Sequence, residues 1–70
     1  MEDRVRPILE AGFGAHQAGE LEIAEGNYRH ALKIAPDNSD ALHLLGVVLM
    51  QKGDIEAAIY SIKSSLEIDP

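Results

Sequence analysis

The sequence has no cysteine and no tryptophan, and its aromatics are one phenylalanine and two tyrosines. The first absence removes any disulfide staple, and with it the usual reinforcement of a very small fold. A core of this size rarely supplies more than about 3–5 kcal/mol without a staple, a metal or a partner. Basic residues are also few. Six Lys and Arg against twelve Asp and Glu leave a net charge of −6, and Arg4, Arg6, Arg29, Lys33, Lys52 and Lys63 are scattered rather than aligned. Without a basic stripe or stacking aromatics, nucleic acid and anionic lipid are excluded as partners. Long apolar runs are missing too: Leu44 to Met50 is the longest, far short of the roughly 20 residues a spanning helix needs. The opening Met1-Glu2-Asp3-Arg4-Val5-Arg6-Pro7 resembles neither a signal core nor a transit pattern. The missing cysteine fits a reducing compartment, although many exported domains also lack it, and the cytoplasm is the expected location.

What is present is one unit written twice. A step of 34 residues carries Asp3 onto Asp37, Gly12 onto Gly46, Gln17 onto Gln51, Gly19 onto Gly53, Glu22 onto Glu56, Ala24 onto Ala58, Leu32 onto Leu66, Ile34 onto Ile68 and Pro36 onto Pro70. A period of this length is that of stacked helical repeats. Within the second unit Leu42, Leu45, Gly46 and Leu49 share one helical face, and Ile8, Ala11, Gly12 and Ala15 repeat the spacing in the first. Asn38 is placed to cap one helix and Asp54 the next, while Gly53 can end a helix in the left-handed conformation, and short turns fall at Gly19, Pro36 and Gly53. Ile55, Ala58, Ile62, Ser65 and Leu66 form the stripe of the last helix, matched by Leu21, Ala24, Tyr28, Ala31 and Leu32. The reading is an all-α chain of four antiparallel helices, about 5–18, 20–34, 39–52 and 54–68, in one domain spanning 1–70 with units at about 5–38 and 39–70. Gly12, Ala24, Gly46 and Ala58 are small because paired helices approach closely there. The first helix is expected to open most readily, since Gly12 and Gly14 weaken it by about 1.5–2 kcal/mol relative to alanine.

Residues 39–70 resemble the tetratricopeptide repeat, whose 34-residue helix–turn–helix carries W-x2-L-G-x2-Y, A-x3-F and P. Leu42 stands for the aromatic, Leu45-Gly46 matches, Leu49 replaces the tyrosine, Ala58 matches, Ile62 replaces the phenylalanine and Pro70 matches. The first unit departs further, with Ile8, Ala11-Gly12, Ala15, Ala24, Tyr28 and Pro36. The resemblance implies a right-handed α-solenoid and a non-catalytic adaptor whose concave face is lined by the first helix of each unit. On that face it would present Arg6, Leu9, Phe13, His16 and Gln17, then Asp40, His43, Val47, Met50 and Gln51. The spacing agrees: Leu9, Phe13 and His16 recur at i, i+4 and i+7, as do His43, Val47 and Met50. Two grooves known in the family do not fit. A clamp for C-terminal carboxylates would need lysine, asparagine and arginine where this chain has Leu9, Glu10, Phe13, His43 and Leu44. An asparagine ladder for peptide backbone would need asparagine at Glu10 and Leu44. An apolar, mildly acidic groove remains, suited to an amphipathic helix or an extended apolar peptide of a partner protein.

No enzyme is expected. Gly12-Phe13-Gly14 lacks both the spacing and the preceding strand of a phosphate loop, and the serines have no base held beside them. Glu20, Glu22 and Glu25 read as a solvated helix face. His16 and His43 lie on equivalent helices, but two imidazoles without cysteine or a positioned carboxylate make no metal site, so neither metal nor cofactor is expected. Two units fall short of the three or so of an independent array, and no polar capping helix follows Pro70. Ile59, Ile62 and Leu66 are therefore expected to face open space: either the chain is a segment cut at a repeat boundary from a longer protein, or a second copy covers the face in a homodimer, built by two-fold docking of the C-terminal faces or by helix exchange at Pro36. The other alternative is an N-terminal arm of a multidomain enzyme.

Overall fold

A computed structural model describes residues 3–70. Its elements are α1 (Val5–Gln17), α2 (Leu21–Ile34), α3 (Ser39–Lys52) and α4 (Ile55–Ile68), with no strand among the described residues. The principal contacts run between neighbours in the chain: α1 with α2, α2 with α3, and α3 with α4. This is an all-α helical repeat arrangement. Because each helix packs on the next, α2 and α3 are covered on two sides and α1 and α4 on one.

The 34-residue step holds down to single hydrogen bonds. Gly19 (φ 81°) and Gly53 (φ 90°) end the first helix of each unit in the left-handed region, where a side chain would be strained. This turn lets Glu20 N–H donate to Ala15 O and Asp54 N–H to Leu49 O, both at 2.9 Å. Glu20 O and Asp54 O then accept from Ala24 N–H and Ala58 N–H at 3.0 Å, opening α2 and α4. The second helices close alike, with Ala35 N–H to Ala31 O and Asp69 N–H to Ser65 O at 2.9 Å.

The caps differ in kind. Asn38 Oδ1 accepts from Ala41 N–H at 2.9 Å, as its position before α3 predicts. Asp54 occupies the N-cap of α4 at φ −89° and ψ 76° and makes no side-chain cap bond, whereas Asn38 caps from a more extended backbone at ψ 108°. At the head of α1, Asp3 Oδ1 accepts from Val5 and Arg6 N–H at 3.1 Å, satisfying two donors that a helix start leaves free.

Side-chain packing follows the small residues. A Cβ on Gly12 would lie 2.6 Å from Tyr28 Cε1, and one on Gly46 would lie 2.5 Å from Ile62 Cγ1 and 3.2 Å from Ala58 O. Hydrogen at these two positions is what lets α1 approach α2 and α3 approach α4. The main core gathers Ala15, Ala24, Tyr28, Leu45, Val48, Leu49 and Ala58, and a second cluster joins Val5, Ala31 and Ala41. Ser61 and Ser65 are buried as well; Ser65 Oγ donates to Ser39 O at 2.9 Å, tying α4 to the start of α3.

Candidate functional site

The first helices of the two units, α1 and α3, frame an open cleft of about 530 Å³, within the size range of ligand sites. Val5 and the half-buried Leu9 and Leu44 form its apolar floor, and Phe13 stands at its edge 47% exposed. The helix spacing explains this arrangement. Ile8, Gly12 and Ala15 turn toward α2, so Leu9 and Phe13, one position further round, emerge beside α3. Arg6, Gln17, Asp40 and His43 also line the cleft, together with Asp3, Glu10, Gly14 and Asn38.

The remaining concave-face residues lie elsewhere. His16 Nε2 and Gln51 Oε1 are hydrogen-bonded to each other, joining α1 to α3, and the His16 ring meets Tyr28 edge-on with centroids 6.4 Å apart. In that pairing Nε2 carries the proton, and the buried Nδ1 has no partner among the described residues. Val47 is half-buried, and Met50 is 48% exposed beyond the cleft. On α4, Ile59 and Leu66 are 50% and 55% exposed, while Ile62 is half-buried against Gly46. Tyr60, at 74%, is the most exposed large side chain on that surface and was not singled out by its spacing. No group of three or more His, Asp or Glu is arranged for a metal ion among the described residues, and no helix there is long and apolar enough to cross a membrane.

Charge around the cleft is uneven. Arg6 pairs with Asp3 at 3.5 Å, both well exposed. Glu10 and Asp40 have no cationic partner among the described residues. The rim is therefore net acidic.

One polar cluster corrects the sequence reading. Glu20 and Glu22 are exposed, but Glu25 is not freely solvated: Lys52 Nζ, at the end of α3, contacts Glu25 Oε1 at 2.6 Å and Glu22 Oε2 at 2.9 Å, and Arg29 Nε donates to Glu25 Oε2 at 2.8 Å. Lys52 first, and Arg29 second, hold the Glu25 carboxyl below its ordinary 4.5. A carboxyl with a depressed folded pKa adds stability above its unfolded pKa, and the contribution is lost as pH falls through the folded value. Stability is thus expected to fall from about pH 4.5 downward, and Glu25→Gln should flatten that acid limb while lowering the midpoint at neutral pH. Urea titrations of both proteins between neutral pH and pH 3 check this. Parallel acid limbs would mean that Glu25 is free in solution.

A family model for the tetratricopeptide repeat matches residues 27–60. The match begins within α2, takes in all of α3 and ends within α4, so it crosses the turn at Pro36 that joins the two units. The matched segment supports a tetratricopeptide repeat, and four helices related in pairs by a 34-residue step are consistent with two such repeats.

Proposed function

We propose that the chain is a non-enzymatic protein-interaction module whose cleft between α1 and α3 receives an apolar or amphipathic segment of a partner protein. Tetratricopeptide repeats are in general protein-interaction scaffolds. The observation that carries the reading is Phe13: a large aromatic, half exposed, beside the apolar floor of Leu9 and Leu44. Exposed aromatics next to a concavity supply a disproportionate share of binding energy. Glu10 and Asp40 favour a segment with Lys or Arg at its flank, so binding weakens as salt rises.

The test is an array of amphipathic peptides probed with the labelled chain and with Phe13→Glu. Capture should fall at least about tenfold for the variant, the usual loss at a central anchor, while helicity is unchanged. Equal capture by a folded Phe13→Glu would overturn the reading. A second reading, self-association through α4, is favoured by the exposure of Ile59 and Leu66.

A further inference from the structure

The internal repeat shows what a helix laid on α4 would look like, because α3 already lies on α2. The face α3 turns to α2 is Ala41, Leu45, Val48 and Lys52, spaced i, i+4, i+7 and i+11. Ala41 shares a buried cluster with Ala31, Leu45 and Val48 share one with Tyr28, and Lys52 holds Glu22 and Glu25. On α2 the receiving residues Leu21, Glu25 and Leu32 are each half-buried by this contact. Their equivalents on α4 are Ile55, Ile59 and Leu66, exposed at 48%, 50% and 55%. This is a ridge of branched apolar side chains in the place where α2 carries its own junction.

The complementary surface lies at the other end of the same molecule. Stepping Ala41, Leu45, Val48 and Lys52 back by 34 residues gives Pro7, Ala11 and Gly14 on α1 and Ala18 at its C-cap, all exposed. Small side chains make that face a shallow trough, and a ridge packs into a trough rather than against another ridge. The charges agree with the shapes. Where the internal junction pairs Glu25 with Lys52, the two ends carry Ile59 and Ala18, so both members of that pair change from charged to apolar together; Glu56, the equivalent of Glu22, keeps its charge at a position that stays in water, as Glu22 does at 84% exposed. Seating α1 of a second copy on α4 would bring these two together and bury no unpaired charge. Two-fold docking of α4 on α4 would instead set ridge against ridge and leave the trough uncovered.

We propose that copies of this chain associate head to tail, α1 of one copy docking on α4 of the next in the geometry by which α3 docks on α2. Such a contact is heterologous and does not stop at two copies. A single helix pair covers about 500 Å² per partner, near the lower limit for a specific interface, so assembly is weak and concentration-dependent. Each joint sets the next copy's α1 beside α3, lengthening the cleft between first helices and placing the exposed Met50 near Gln17 of the next copy.

Sedimentation equilibrium from about 10 μM to about 1 mM brackets the affinities of interfaces this small. The average mass should rise through the dimer without levelling off there. Ile59→Glu and Ala18→Lys, both at exposed positions, should each weaken association about tenfold, as loss of a central contact does, with helicity kept by circular dichroism. An equimolar mixture of the two variants should associate more strongly than either alone, because one joint then carries opposite charges as the internal junction does. If either variant unfolds, Ile59→Lys and Ala18→Glu provide the same comparison with signs exchanged. A monomer throughout, a mass that stops at two, or an Ala18 substitution without effect overturns the proposal. None of these outcomes touches the cleft reading, which is tested at Phe13.

Discussion

Tyr28→Ala should leave the chain largely unfolded at room temperature. Tyr28 is fully buried at the meeting point of both units, against Gly12 and the His16 ring and in one core with Leu45, Val48 and Ala58. Truncating a buried aromatic to alanine costs about 3–5 kcal/mol. That equals the whole stability expected of a core this size, about 3–5 kcal/mol, so the loss appears as missing helicity rather than a shifted midpoint. Tyr28→Phe should move the other way. The phenol oxygen is buried with no hydrogen-bond partner among the described residues, and an unsatisfied buried hydroxyl is worth about 1 kcal/mol or more to remove. Its burial raises the phenol pKa above the ordinary 10.0. The neutral form is therefore the one the fold prefers, and stability from this group is present below about pH 10 and lost as pH rises through the folded value. Urea midpoints by circular dichroism at neutral and alkaline pH test all three statements. A Tyr28→Phe protein less stable than wild type by 1 kcal/mol or more would show that the hydroxyl is hydrogen-bonded in solution.

The turns, the helix pairs and the close-packed glycines were legible because the chain states each of them twice. Gly19 and Gly53 serve one backbone geometry, and Gly12 and Gly46 one kind of helix approach. Helix starts moved from 20 and 54 to Leu21 and Ile55 because Glu20 and Asp54 are caps, not helical residues. Val48, fully buried, escaped the periodic reading. A single stripe through Leu42, Leu45, Gly46 and Leu49 describes a helix covered on one side, whereas α3 is covered by α2 and α4 and needs a wider apolar arc. The pairing of Lys52 with Glu22 and Glu25 escaped for another reason: contacts between different helices, 27 residues apart in the case of Glu25, have no periodic signature. Its trace was the departure from the repeat, Glu25 against Ile59 and Lys52 against Ala18. In the cleft, spacing placed Leu9, Phe13 and His43 on one surface but could not show that His16 and Gln51 are spent on each other.

Gly46→Val is expected to lower stability by about 3 kcal/mol, the upper part of the range for overpacking a filled site. Helix propensity alone predicts the reverse, since replacing a mid-helix glycine by alanine is worth about 1 kcal/mol. The geometry decides between them. Even the first added carbon would sit 2.5 Å from Ile62 Cγ1 and 3.2 Å from the carbonyl oxygen of Ala58, and the second of these is backbone that cannot rotate aside. The only relief is to push α4 away from α3, which opens the buried contacts of Ala58 and Ser61. Gly14→Ala is the control, because a Cβ there meets nothing within 4 Å, and it should raise stability by about 0.5–1 kcal/mol. A double-mutant cycle of Gly46→Ala with Ile62→Ala isolates the steric term. If the two side chains compete for one space, the double variant loses less than the sum of the single losses by about 1 kcal/mol or more. Additive losses, or a Gly46→Val protein with an unchanged urea midpoint, would mean that the helices of the second unit stand further apart in solution than glycine at this position requires.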